Sequence, residues 1–352
     1  MDWTRGMSQE FEYMVVDPAT WRDRRRLDMV ESCAIDRDLE AETLGSASID
    51  VTGEVGEAYI RVYLRASQDG AAERVPLGTF LAQTPSTEFD GMRPSSSLDA
   101  YTPLIELKEN QPPIGFTVRE GANVMAEVAR LASEHMRAPV VPCESAAAMP
   151  HDFVADPGDT WASFLSDAAA MAGYRLDLDE LGRLCFAPSP DRPRSPVWTY
   201  SEGNSSILAP AVSIERDLYG VPNVVEAVYS SGDAVLVARA VNDDPNSPAS
   251  TVSRGREVMH RDESPDVAGE VTQAALDAYA RSKLAELSAV ECAVTYTHGY
   301  CPVRTGDCVR IDHPRAGLSG ALARVRSQSI SCSTGCQVEE TAVFEIKYWE
   351  AP

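Results

Sequence analysis

Lysine is almost missing from this sequence: Lys108, Lys283 and Lys347 are the only ones, and the rest of its 31 basic residues are arginine. That bias reads as an arginine-rich coding preference, not as chemistry. Basic charge as a whole is scarce, because 54 Asp and Glu leave a formal net charge of -23. A chain this acidic has no general footprint for gripping nucleic acid through its phosphates. Long apolar runs are also missing, so no helical membrane span is expected. The start, MDWTRGMSQEFEYMVVD, lacks a basic stretch followed by an apolar one, so no secretory signal is read and a soluble, cytoplasmically made protein is expected. Eight cysteines in 352 residues fall far below the density of a disulfide scaffold, which predicts reduced, mostly buried thiols.

The signatures of catalysis are absent too. Neither G-x-S-x-G, nor H-E-x-x-H, nor a Gly-rich phosphate loop occurs. GEVGEA (53–58) sits between strand-like runs with no helix to follow, so it reads as a turn. Asp177 with Asp179, and Asp243 with Asp244, read as solvated faces rather than a catalytic carboxylate pair. No enzyme activity and no cofactor is expected. The densest place for a metal is Cys292, His298, Cys301, Cys308, His313, Cys332 and Cys336, but no C-x2-C occurs there. Buried free thiols are the favoured reading and a zinc-dependent hydrolase the rival.

What is present is a long chain of ordinary globular composition, enough for about two to four domains. Residues 1–105 read as a small all-β unit: EFEYMVV, CAIDRDLE, ASIDVTG, AYIRVYLRA and VPLGTFLAQ are short, partly alternating runs. In AYIRVYLRA, Tyr59, Arg61, Tyr63 and Arg65 share one face and Ile60, Val62 and Leu64 the other, as a half-buried strand requires. RPSSSLDAY is read as a loop. WRDRRRLD (21–28) is the one basic cluster and reads as a loop tip that is a candidate partner contact.

Residues 106–190 form an α+β insert. Val124, Val128, Leu131 and His135 fall at helical spacing; Asp159 is expected to cap a second helix, TWASFLSDAAAMAGY, which Gly173 ends. YRLDLDE and GRLCFAP then make a hairpin about Leu181-Gly182. The proline-rich stretch 187–196 is a boundary candidate. Residues 197–262 return to strands, with an SSGD hairpin turn at 230–233 and an exposed loop, NDDPNSPAS. Residues 263–352 hold the longest helix, with Val271, Ala275, Leu276, Ala278, Tyr279, Ser282 and Leu287 loosely on one side, and then four strands.

The order of parts in this last third resembles tail hub proteins of bacteriophage tails and phage-like injection machines. In that family a helix of the form A-x-x-x-L-x-x-L precedes a strand, and a Pro-x-x-x-Gly-Asp turn opens the next. Here the matching residues are Ala280, Leu284, Leu287, Pro302, Gly306, Asp307 and Val309. The front is similar as well, with YIRVYLRA followed by PLGTFLAQTPS between Tyr59 and Ser86. The resemblance implies a mainly β chain with α+β inserts: two β-barrel-like tube-forming domains plus two middle decorating domains, assembling as a ring. It implies a homotrimer that joins the sixfold tail tube or distal tail protein to a spike or fibre protein. Such a hub passes the tape-measure protein and DNA, the latter bound only in transit, and resides in the virion tail. No fused wall-digesting domain is read, so that work is expected of other chains.

Interface candidates under this reading are Arg22, Arg24, Arg25, Arg26, Tyr59, Tyr63, Tyr279, Arg281 and Trp349, since desolvated contacts select aromatics and arginine. The alternative is a soluble carbohydrate- or receptor-binding module, with Trp3, Trp21, Trp161, Trp198 or Trp349 as sugar platforms.

Overall fold

The computed structural model describes residues 1–89, 91, 94–189, 195–203, 206–231, 234–267 and 271–350. The chain divides into two compact units, Met1–Val212 with Thr295–Ala342, and Ser213–Val294 with Val343–Pro352. Among the described residues no helix is long and apolar enough to cross a membrane.

The first unit begins with β1 (Ser8–Asp17), β2 (Arg22–Arg26), β3 (Val30–Asp38), β4 (Gly45–Thr52), β5 (Ala58–Gln68), β6 (Ala71–Phe89) and β7 (Pro94–Tyr101). They pair antiparallel in the order β3-β4-β7-β6-β5-β1-β2. Alternation drives this: Cys33 and Ile35 of β3 and Ala47, Ile49 and Val51 of β4 point into one apolar cluster with Val62, Leu64, Leu77 and Leu98. Asp69-Gly70, both at positive φ, form the two-residue hairpin between β5 and β6, with Gln68 opposite Ala71. Gly45 is required where β4 meets β3, since a Cβ there would lie 2.4 Å from the Asp36 carbonyl.

Three sequence expectations change here. RPSSSLDAY is strand β7 from Pro94 on, and WRDRRRLD contributes strand β2 rather than a loop tip. Serines pass for a loop in sequence, but Ser96 is buried with its hydroxyl donating to the Gly53 carbonyl at 2.7 Å. Strand β5 is buried on both faces from Tyr59 to Leu64, because the insert covers the face that carries Tyr59 and Arg61.

The insert follows as α1 (Ile105–Lys108), β8 (Thr117–Val118), α2 (Val124–His135), β9 (Phe153–Val154), α3 (Trp161–Met171), β10 (Tyr174–Leu178) and β11 (Leu184–Pro188). Val124, Val128 and Leu131 bury the expected face of α2 against Trp161, Phe164 and Leu165 of α3. His135 completes it by stacking on Trp161, with ring centroids 4.0 Å apart. The cap of α3 is Thr160, not Asp159: its hydroxyl accepts from the Ser163 N–H while Ser163 answers to the Thr160 N–H. The hairpin of β10 and β11 turns through Gly182, as expected. Of the boundary stretch, residues 190–194 lie outside the described residues.

Next come β12 (Trp198–Ser201) and β13 (Leu208–Arg216). The second unit holds β14 (Val224–Ser231), β15 (Ala234–Val241), α4 (Thr251–Arg254), β16 (Met259–Asp262) and α5 (Gln273–Leu287). Strand β14 runs antiparallel to β15 and parallel to β16. Helix α5 packs Leu276, Ala280 and Leu284 onto Val225, Ala227, Ala238 and Ala240. The helical face is therefore shifted from the one expected, since Ala278 and Ser282 are exposed. NDDPNSPAS is partly interior: Asn242, Ser247, Ala249 and Ser250 are buried, with Asn242 donating to Ser247 at 3.1 Å. Two residues of the SSGD turn, 232 and 233, lie outside the described residues.

The chain ends with β17 (Ala289–Gly299), β18 (Cys308–His313), β19 (Leu318–Ser331) and β20 (Gln337–Lys347), the four strands expected. Strand β18 takes β12 in parallel and β19 antiparallel, and β19 pairs with β3. The fold is mainly β with an α+β insert. Instead of two closed barrels, the described N- and C-terminal strands join through β3 and β19 into one open ladder that ends at β2.

Ile35 lies at the centre of this join and is fully buried. Ile35→Ala is expected to destabilise the chain by about 2–5 kcal/mol, read as a lower urea midpoint. A loss under about 1 kcal/mol would show that β3 is not a core strand.

Candidate functional site

Strand β2 ends the ladder. Strand β1 pairs with one of its sides, and among the described residues no strand pairs with the other. Its sequence is RDRRR: Arg22, Arg24, Arg25 and Arg26 are exposed and Asp23 is half-buried. Arg26 approaches Asp28 at 3.4 Å on the surface, while Arg22, Arg24 and Arg25 make no ion pair among the described residues.

The inward residue Asp23 anchors this edge. It accepts from Arg61 Nη1 at 3.0 Å and from the Tyr63 hydroxyl at 3.0 Å. Arg61 is only 4% exposed and spends its other donors on Thr79 Oγ1 at 2.8 Å and the carbonyls of Leu181 at 3.0 Å and Trp21 at 3.4 Å. A buried guanidinium is stable only when its donors are met in this way. Outside it, Arg74 lies 3.4 Å from the Tyr63 ring centroid and pairs with Glu12 at 2.8 Å and Asp23 at 3.3 Å. Burial raises the Tyr63 pKa. Four exposed cations thus stand on an edge whose backbone is fixed from beneath.

The remaining interface candidates are placed differently. Tyr63 sits inside the anchor, and Tyr59 lies in the core, 2% exposed and edge-on to Trp21 at 4.8 Å. In the second unit Arg281 is exposed. Tyr279 is half-buried and donates to Asp262 at 2.5 Å, a bond that pushes its pKa up to about 12. Trp349 packs against the Leu276 cluster. Of the candidate sugar platforms, Trp21 and Trp161 are core residues.

A second constellation was not legible from the sequence. Strand β17 alternates inward, burying Tyr296 and His298 in the first unit, where they meet Tyr200, Cys301, Gln328 and Glu340. His298 Nε2 lies 3.5 Å from Glu340 Oε2 and 3.1 Å from the Tyr200 hydroxyl. Glu340 also accepts from Tyr296 and from Gln328, the latter at 2.6 Å. Gln328 in turn accepts from Arg37 Nη1 at 3.0 Å. Burial alone would lower the His298 pKa, but its contacts with Cys301 and Glu340 outweigh that and raise it to about 10. The spacing that singled out His298 and Cys301 had no means of finding Glu340 or Tyr200, which come from distant strands. Among the described residues no three or more His, Cys, Asp or Glu are grouped to hold a metal ion.

No protein-family model and no curated protein matches the sequence. Solved structures do resemble the fold. The tail protein from Neisseria meningitidis MC58 superposes with a TM-score of 0.61 at 17% identity, over 95% of this chain and 97% of that one. The 43 kDa tail protein of prophage MuSo2 from Shewanella oneidensis gives 0.60 at 12% identity, over 96% and 98%. A chain of the lidded Francisella PdpA-VgrG complex gives 0.55 at 6% identity, over 99% of this chain and 54% of that one. The chain has the fold of phage tail proteins, as the sequence resemblance implied.

The buried His298–Glu340 pair sets a pH dependence. A histidine whose folded pKa is raised from 6.5 to about 10 contributes stability fully present below pH 6.5 and lost as pH rises through about 10. The urea midpoint is expected to fall across that window. Glu340→Gln should lower the midpoint at pH 6.5 by the equivalent of about 3–5 kcal/mol and flatten the alkaline fall. An unchanged slope in that variant would remove the pair as its cause.

Proposed function

We propose that this chain is a structural subunit of a phage-type tail, acting by binding and not by catalysis. The observation that carries this is a likeness to two tail proteins that runs nearly the full length of both partners. In the finer reading it is the trimeric hub at the distal end, in a baseplate or tail tip. Three copies, each offering N- and C-terminal β sets, match a sixfold tail tube or distal tail protein on one side and a spike or fibre on the other.

The charge supports that role. A subunit of net charge -23 around a channel repels the phosphates of DNA in transit, where a basic wall would hold them. The tape-measure protein would pass through the same lumen. The arginine edge of β2 supports an assembly contact, since free strand edges are where sheets extend between chains. Synthesis in the host cytoplasm and residence in the virion tail complete the proposal.

Light scattering coupled to size exclusion, alone and with the neighbouring tail proteins, tests it. The expected species has three times the 38.2 kDa chain mass. A chain that stays monomeric beside its neighbours would overturn the hub. The combined variant Arg22→Glu, Arg24→Glu, Arg25→Glu is expected to weaken assembly at least about tenfold while leaving the monomer folded. Undiminished assembly would take β2 out of the interface.

A further inference from the structure

The join between β3 and β19 carries an unassigned chemical feature. Ser331 stands opposite Ala34, and one step on Cys332 reaches Cys33, its N–H donating to the Cys33 carbonyl at 2.9 Å. Residues facing each other on antiparallel strands hold their Cα atoms about 4.5–5.5 Å apart, within the roughly 4.4–6.8 Å that a disulfide spans. Both side chains enter the same apolar cluster, Cys33 at 6% and Cys332 at 9% exposure. Cys336 is buried in that cluster too, across a turn that leaves it at φ 38. All three are free thiols.

We propose that Cys33 and Cys332 form a disulfide site, a cross-strand bond that fastens the N-terminal strands of the first unit to its C-terminal ones. The co-reactant is a small disulfide such as oxidised glutathione. One cysteine, as thiolate, attacks it and releases one glutathione thiolate; the second cysteine then attacks the mixed disulfide and releases the other. One S–S bond forms in the protein and one breaks in the reagent, which takes up both electrons and both protons as two thiols. Cys332 is the entry point, because Ser331 and Ser333 on either side of it are exposed. The neighbouring Cys33 and burial hold the Cys332 thiol back from ionising, so the reaction is slow and favoured by mildly alkaline solution.

The bond would close a loop of nearly the whole chain, where a cross-link constrains the unfolded state most. If the tail reading holds, the protein is made with thiols in a reducing cytoplasm and is latched after the particle leaves it. Only that consequence rests on the tail reading; the bond itself does not.

The test uses the purified full-length chain, equilibrated with reduced or oxidised glutathione, its peptides mapped without reduction and its melting temperature measured in both states. The expected result is a Cys33–Cys332 peptide, a mass lower by two hydrogen atoms, and a melting temperature several degrees higher when oxidised. Cys33→Ser and Cys332→Ser should each abolish the difference between the two states, and Cys336→Ser should keep it. Comparing the two states within each variant allows for any loss of stability that serine itself causes. A Cys332–Cys336 peptide, or eight free thiols after oxidation of the folded chain, would overturn the proposal. The trimer measurement is independent, so a failed bond and a failed hub are told apart.

Discussion

The first unit depends on one pairing, β3 with β19, in which Ala34 to Asp38 meet Ser331 to Ser327. Everything between these strands must be made before they can meet, so a contact almost as long in sequence as the chain closes the sheet. Such closure costs entropy that local contacts cannot offset, and it is rewarded only when the ladder and the cluster beneath it form together. The polar chain Arg37–Gln328–Glu340–His298 crosses this seam. A register slip by one residue would move Gln328 off the inner face and leave the half-buried Arg37 and the buried Glu340 without it. The network therefore fixes which alignment of β3 and β19 is allowed, while Ile35 and Ile330 supply the burial.

Local signals in the sequence were reliable where the physics is local. Alternation gives β1, β3, β4 and β5, and Leu181-Gly182 gives the β10–β11 hairpin, while the cap of α3 is misplaced by a single residue, Asp159 for Thr160. Misreadings arise where a distant segment decides. The Tyr59–Arg61 face of β5 looks solvated until Leu181, from a hairpin over a hundred residues away, supplies a carbonyl to Arg61. β7 looks like a loop until Gly53 accepts from Ser96. α5 has little amphipathic contrast, and only the small residues Ala227, Ala238 and Ala240 beneath it show which side can approach closely. The candidate site follows the same division. The arginines of β2 were visible as a cluster, but their edge position was not, because pairing is a property of β1 and β5 as well.

In the proposed tail assembly, acidic subunits face repulsion at a distance, so contact has to be selected locally. On β2 two selecting features coincide. The free backbone edge gives strand pairing, which is directional but nearly blind to sequence. The four arginines supply discrimination: a second β2 laid against it would set arginine opposite arginine, whereas an acidic strand would find a partner for each. Asp23, Arg61 and Tyr63 make that choice firm, because they hold the strand from its buried side and leave Arg22, Arg24 and Arg25 unspent. Removing the anchor would let the edge move; reversing the arginines would keep the edge and change what it accepts. For the proposed tail subunit these are separable properties, shape held by one buried guanidinium and selectivity by the exposed ones.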